Sequence, residues 1–306
     1  MFVNDILLPY SPVKHQTSTA SCWAFSLCSY WETELAVMSG EEVPSQEFSP
    51  LFLARHKIER LCQLSMRNPF FPVKRLPVGA QGQTAVDLVQ KFGLADIRSY
   101  RISDNGQTKG YRTMMRIIQV LVWLGQLTIV FRAPLLRLVC RVIDRYWAPL
   151  PDSSLIKHEP LPAITFFTSF SHLPFHEDVV LPLPDNFEGW SFANLPIDEL
   201  IAQMKSALSN GHSVVWQGHL GRGCSMKKGF AVLPQNVAVT DDLRSQLFLE
   251  GKITDDHMMH IVGMAHDENE RLFFIVKNSV GDIGPHHGLI YMEENYIRLN
   301  TVAVGL

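Results

Sequence analysis

The sequence predicts an α+β protein built from two lobes with a cleft between them. Apolar residues in the first half fall into helical segments closed by glycine or Asn-Gly, whereas the second half carries short β-branched and aromatic runs separated by turn residues. The residues best suited to chemistry lie at opposite ends of the chain, a cysteine at 22 and a histidine and asparagine beyond 256. Helices first and strands later is the order of an α+β domain, with one lobe carrying the cysteine and the other the histidine and asparagine.

Cys22 to Met38 has the helix formers and the Gly40 stop of one long helix, apolar on most faces and therefore expected at the centre of the protein. Gly82 to Phe92 reads as a second helix ended by Gly93, and Ile197 to Ser209 as a third, entered through Pro196 and stopped by Asn210-Gly211. Beyond these the period changes to two. His212–Trp216, His257–Met264, Leu272–Asn278 and Gly288–Met292 read as strands, with Asp267-Glu268-Asn269-Glu270 as a turn between two of them.

The chemistry centres on His15-Gln16-Thr17-Ser18-Thr19-Ala20-Ser21-Cys22-Trp23-Ala24-Phe25, in which a glutamine precedes a cysteine that opens a helix. A thiol at a helix start feels the positive end of the macrodipole and unpaired N–H groups, which lowers its pKa. The Gln16 amide and the Cys22 backbone N–H can together face a developing oxyanion, each such donor contributing on the order of 3 kcal/mol. The same residues also suit a plain core helix, since cysteine is among the most buried residue types. His257, within Asp256–Met264, is followed by Asn278 in Val276-Lys277-Asn278-Ser279-Val280-Gly281. Cysteine, histidine and asparagine in that order form a triad arrangement.

On these residues the chain resembles the papain-like cysteine peptidases, and more closely their bleomycin hydrolase and aminopeptidase C branch in its compact, Bacteroides-type bacterial form. Leu51–His56, Lys91–Leu94, Thr168–Phe175, Leu183–Phe187 and Leu195–Glu199 running into Asn210–Trp216 look like that branch too, so the likeness covers most of the chain except about 108 to 160. It implies one papain-like domain over 1–306: a helical lobe about 15–108, a basic helical insert about 109–160 and a β-rich lobe about 161–306. It implies that Cys22 attacks the scissile carbonyl, that His257 keeps it ionised and then protonates the leaving amine, and that Asn278 orients the imidazole. Gln16 and the Cys22 N–H would hold the oxyanion, and water would hydrolyse the acyl-enzyme thioester. No metal or cofactor is implied.

Two positions depart from the family pattern. Val280 stands where a tryptophan usually shields the Asn–His bond, which predicts a wetter bond, and Ala20 replaces a glycine where substrate backbone lies close to the enzyme. In bleomycin hydrolases the chain's own C-terminus enters the cleft and its carboxylate captures the substrate amine. The resemblance therefore favours an aminopeptidase over an endopeptidase, with the position of Leu306 left open. A catalytically weak papain-like protein serving as a binding module is the alternative.

The insert carries Lys109, Arg112, Arg116, Arg132, Arg137, Arg141 and Arg145 against Asp144 alone. Its longest uncharged run, Ile117 to Phe131, is 15 residues, short of the roughly 18 to 20 that a membrane span requires. After a break at Pro134, the apolar pairs from Leu135 to Ile143 set against the arginines predict an amphipathic helix. A helical pair packed on the first lobe is expected, with peripheral contact to an anionic membrane or a partner protein as the other use.

The 306 residues are 46% hydrophobic and 19% charged, with a formal charge of −3, a balance with no general attraction to nucleic acid. Five cysteines, Cys22, Cys28, Cys62, Cys140 and Cys224, show neither metal-ligand spacing nor a disulfide framework. His257 and His260 should diverge on a strand rather than share an ion, and Asp255 and Asp256 read as turn residues at the strand start. Thr19 stands where secreted papains carry a disulfide cysteine, and Met1–Asp5 shows no secretory signal. A cytoplasmic protein without a propeptide, acting on peptides, is the expectation; a removed leader with periplasmic or surface location is the alternative.

Overall fold

The computed structural model describes residues 2–17, 19–68, 76, 78–100, 110–158, 160–234 and 237–306. In chain order the elements are β1 (Phe2–Leu7), α1 (Cys22–Ser39), α2 (Pro50–Arg67), α3 (Gly82–Phe92), β2 (Leu94–Ala95), α4 (Tyr111–Leu127) and α5 (Arg132–Tyr146). Then follow β3 (Ile156–Lys157), β4 (Phe166–Thr168), β5 (Asp178–Val180), β6 (Ser191–Asn194), α6 (Ile197–Ser209), β7 (Val214–Gly218), β8 (Cys224–Ser225) and β9 (Phe230–Ala231). The chain closes with α7 (Asp241–Leu249), β10 (His257–Asp267), β11 (Leu272–Lys277), β12 (Leu289–Glu293), α8 (Glu294–Asn300) and β13 (Thr301–Gly305). Helices dominate before residue 150 and strands after it, as an α+β fold requires.

Helix α1 ends where Gly40 turns left-handed at φ 67°, and the Glu41 N–H reaches back to the Ala36 carbonyl at 2.9 Å, a closure open to glycine at little steric cost. The helix is buried nearly all round, with Trp23, Leu27, Tyr30 and Trp31 in the core. Two buried acids on it find partners: Glu32 accepts from Lys14 and Ser11, and Glu34 accepts from the N–H and hydroxyl of Ser213, both at 2.7 Å. These bonds fix α1 against the strands.

The main sheet runs β5-β6-β4-β13-β7-β10-β11-β12-β9-β8. One edge of β10 is shared: β7 pairs its first half, from His257 to Ile261, and β1 pairs its second half. Gly263 sits at the crossover, where a Cβ would collide with the Ile6 carbonyl, so the residue is glycine because backbone lies on it. Helix α1 packs along β10, which carries the N-terminal cysteine of the helix to the first residues of the strand.

Several expectations shift. The strand read from His212 is Val214–Gly218, because Gly211 and His212 still close α6 through bonds to Leu208 and Ala207. The break in the insert falls at Thr128–Phe131, and Pro134 lies in the first turn of α5, where its missing N–H has no helical acceptor to serve. Helix α4 is the first member of the helical pair expected in the insert, whose bounds the sequence had not given; helices α2, α7 and α8 and strands β1 and β13 were not read from the sequence. The C-terminal tail is a strand: Thr301 pairs Gly218 in the row of His257, while Gly305 pairs Val215 farther along. Leu306 exchanges main-chain bonds with Thr165 at 2.7 and 2.9 Å. Leu306, whose position the sequence left open, thus lies toward the sheet end away from His257.

Candidate active site

Cys22 is the first residue of α1 and partly buried, with the backbone N–H groups of Met258 and Trp23 near enough to favour its thiolate. His257 opens β10 beside it. The two share a cleft of about 320 Å³ whose walls include Gln16, Ala20, Gly79, Ala80, Asp185 and Asp255. A separate cavity of about 400 Å³ near Val86, Lys157 and Leu161 holds no cysteine.

The imidazole is held in one tautomer. His257 Nε2 lies 2.9 Å from Asn278 Oδ1, and an amide oxygen only accepts, so Nε2 carries the proton and Nδ1 is the basic nitrogen. Asn278 cannot flip, because Oδ1 also accepts from the Ser279 N–H at 2.7 Å and Nδ2 donates to Met226 Sδ at 3.2 Å. Asn278 is only 3% exposed. The wetter bond expected from Val280 is therefore not found: Met226, from the turn between β8 and β9, covers the asparagine instead. Val280 pairs its backbone with His15.

That pairing also sets Gln16. Its backbone N–H donates to the Ser279 carbonyl at 2.8 Å, and its Oε1 accepts from the Ser279 hydroxyl at 2.7 Å. With the oxygen occupied, Nε2 is left as the donor for the cleft. Thr19, in the loop leading to Cys22, donates its hydroxyl to the Gln16 carbonyl at 2.7 Å, and Tyr111 from α4 donates to the Thr19 carbonyl at 3.2 Å. Ala20 adopts φ 50°, a left-handed conformation that costs an L-residue about 1 to 2 kcal/mol.

Burial decides the electrostatics. It pushes the Cys22 thiol up to about 11, with the charges of Asp255 and Asp185 adding to the rise and the nearby N–H groups of Met258 and Trp23 opposing it. Burial also holds His257 below its ordinary value, against the support of Asn278 and Asp256. The lowering expected at a helix start is thus outweighed by desolvation. Both shifts favour the neutral forms of thiol and imidazole.

Asp255 is not a plain turn residue. Gln81, just before α3, donates from Nε2 to Asp255 Oδ2 at 2.9 Å and to Asp185 Oδ1, while its own Oε1 accepts from Gln217 at 2.6 Å. Burial and then the Asp185 charge raise Asp255 to about 7, so near neutrality the pair shares a proton and keeps one negative charge or more. Asn186 shapes the loop that carries Asp185, bonding Leu181 and Trp190 main-chain groups at 2.8 to 3.2 Å. Asp256, by contrast, accepts from the Leu220 N–H at 3.0 Å and pairs His219, which is a turn role.

The four residues singled out by sequence, Gln16, Cys22, His257 and Asn278, come together here. His260 does not join them; it is buried with Nδ1 on Ser29 at 2.9 Å. Among the described residues no group of three or more histidines, cysteines or acids is placed to hold a metal ion. Ser279, Met226, Gln81, Asp185 and the cleft role of Asp255 escaped the sequence reading. Only Ser279, next to Asn278, lay within a motif already named for the site.

No family model matches the sequence, and no curated protein sequence matches it. Its structure is similar to that of PepW from Lactobacillus rhamnosis HN001, with a TM-score of 0.77 at 14% identity over 99% of this chain and 81% of that one. It is also similar to the digestive procathepsin L2 proteinase of Tenebrio molitor larval midgut, with a TM-score of 0.52 at 13% identity over 97% and 64%. At this level of identity the likenesses give the fold: the chain has the papain-like cysteine peptidase fold, with helices and a large mixed sheet.

Proposed function

We propose that the protein is a cysteine peptidase that acts as an aminopeptidase. The observation that carries the chemistry is the fixed tautomer of His257, whose Nδ1 is left as base in the cleft that holds the Cys22 thiol. As sulfur attacks a substrate carbonyl, Nδ1 takes the thiol proton. Gln16 Nε2 and the Cys22 N–H donate to the oxyanion. The imidazolium then protonates the leaving amine, and water, deprotonated by the same Nδ1, hydrolyses the thioester. A neutral resting pair suits this order, since charge develops only as attack proceeds.

The aminopeptidase part rests on the cleft wall. With Leu306 away from the cleft, the Asp185–Asp255 pair supplies the anionic charge that a substrate α-ammonium needs beside the nucleophile. Aminoacyl-coumarin amides and their N-acetylated forms test both parts. Turnover lost in Cys22→Ala and His257→Ala, with folding retained, is expected, and loss in neither sinks the peptidase reading. Preference for the free amine, abolished in Asp185→Asn, is expected; equal turnover of acetylated substrates favours an endopeptidase.

One second reading has its own observations. Ala20 at positive φ and a thiol raised by burial also fit a papain-like domain that binds peptides without cutting them; peptide affinity without turnover in the unmodified protein distinguishes it.

A further inference from the structure

The hairpin of α4 and α5 exposes apolar surface that the rest of the protein does not cover. Its turn carries Ile129 and Val130, exposed by 74% and 85%, flanked by exposed Leu127 and Phe131. Val120 and Trp123 continue the stripe along the outer face of α4, spaced at the helical three to four residues. The opposite face is fully used: Met114, Ile118, Leu121 and Val122 pack with Val139 and Ile143 of α5 and with Ile58, Leu61 and Cys62 of α2. Soluble proteins seldom leave a contiguous apolar patch of this kind bare.

Charge identifies what covers it. Arg112, Arg116, Arg137, Arg141 and Arg145 form no ion pair with a described residue, and Asp144, the sole acid between Tyr111 and Tyr146, is taken by Arg55 at 2.7 Å. The arginine at the tip is turned inward: Arg132 Nε donates to the Gly125 carbonyl at 3.0 Å, satisfying the end of α4. The free cations therefore lie behind an apolar tip. Arg137 is five residues into the helix from Arg132, or about 7.5 Å along the axis, a setback matching the roughly 5–10 Å to which interfacial helices enter a bilayer. No helix among the described residues is long and apolar enough to cross a membrane.

From this arrangement we infer that the α4–α5 hairpin is a peripheral docking element, its apolar tip entering the interface of an anionic lipid bilayer and its arginines meeting the headgroups. The base of the hairpin is tied to the nucleophile loop through Tyr111 and Thr19. Docking therefore holds the cleft about one α4 length, some 25 Å, from the tip. The inference does not depend on peptidase activity.

Co-sedimentation of the full chain with phosphatidylcholine vesicles, with and without phosphatidylglycerol, is the test. Binding only to the anionic vesicles, weakening as salt rises, is expected. Each arginine near an anionic surface accounts for about fivefold, so Arg137→Gln with Arg141→Gln should weaken binding about 30-fold. Val130→Asp should weaken it at least about tenfold by removing a buried apolar side chain. All three positions are exposed, and far-UV circular dichroism unchanged from the parent checks folding. Brominated lipid should quench fluorescence that Trp123→Phe removes. No binding, or equal binding to both vesicle types, overturns the inference. So does a wild-type dimer that Val130→Asp dissociates and that ignores vesicles, which assigns the face to a second copy.

Discussion

Ser279→Ala isolates the positioning of the oxyanion donor from the donor itself. The Ser279 hydroxyl donates to Gln16 Oε1 at 2.7 Å, while the Gln16 main chain is held separately by its N–H bond to the Ser279 carbonyl at 2.8 Å. Removing the hydroxyl leaves the backbone in place and frees only the carboxamide, which can then turn its oxygen toward the oxyanion. A neutral hydrogen bond contributes a net 0.5 to 1.5 kcal/mol, so kcat should fall about 2- to 13-fold, centred near fivefold. KM should hold, because the amide acts on the tetrahedral intermediate rather than on bound substrate. Gln16→Ala deletes the donor and should cost about 10²- to 10³-fold in kcat. The assay is steady-state hydrolysis of an aminoacyl-coumarin amide by the parent, both single variants and the double variant. If Ser279 works through Gln16, the double variant should be no slower than Gln16→Ala alone. Multiplicative losses would refute the reasoning and give the Ser279 hydroxyl a role separate from Gln16.

Four further outcomes follow from the same geometry. Ala20→Gly relieves a left-handed alanine and should stabilise the protein by about 1 kcal/mol, a rise of some 2 °C in Tm by calorimetry, whereas a fall in Tm would place the cost elsewhere. Because burial and the Asp255 charge raise the Cys22 thiol to about 11, iodoacetamide should label Cys22 slowly near pH 6 and faster as pH climbs, with the profile moved to lower pH in Asp255→Asn; fast labelling at pH 6 would contradict a neutral resting pair. Burial raises Asp255 itself from 3.8 to about 7, so the native state binds the extra proton in that window and this group's contribution to stability falls as pH rises from about 4 to 7. Asp255→Asn should flatten that fall in urea titrations, and an unchanged slope would argue against it. Met226→Ala uncovers the Asn278 amide and should lower kcat several-fold with KM held, an effect Val280→Trp should partly restore; unchanged kcat would leave the shielding to other groups.

The N-terminal half shows how local chemistry reads directly. Helix α1 was legible because Cys22 to Met38 contains no breaker and Gly40 terminates it, and α3 and α6 because each is followed by Gly93 or Asn210-Gly211. Helix α4 was legible only as one member of a helical pair, without its bounds, since its stripe of exposed apolar residues blurs the helical period with that of a buried run. Strands β1 and β13 were missed for another reason: each is short and gains its stability from partners more than 80 residues away along the chain, which no local pattern reports.

The candidate site divides in the same way. By itself the sequence singled out Cys22, His257, Asn278 and Gln16, the four side chains proposed as nucleophile, base, orienting amide and oxyanion donor, because each is one side chain whose type and order suit that reaction. Tertiary structure alone decided how those groups are tuned. Met226 in place of a tryptophan, Ser279 on Gln16, the Gln81 bridge between two carboxyls and the desolvation that raises the thiol all arise where distant segments meet. A pKa or a hydrogen bond across a fold depends on burial and on neighbours far apart in the chain, and those exist only once the chain has packed.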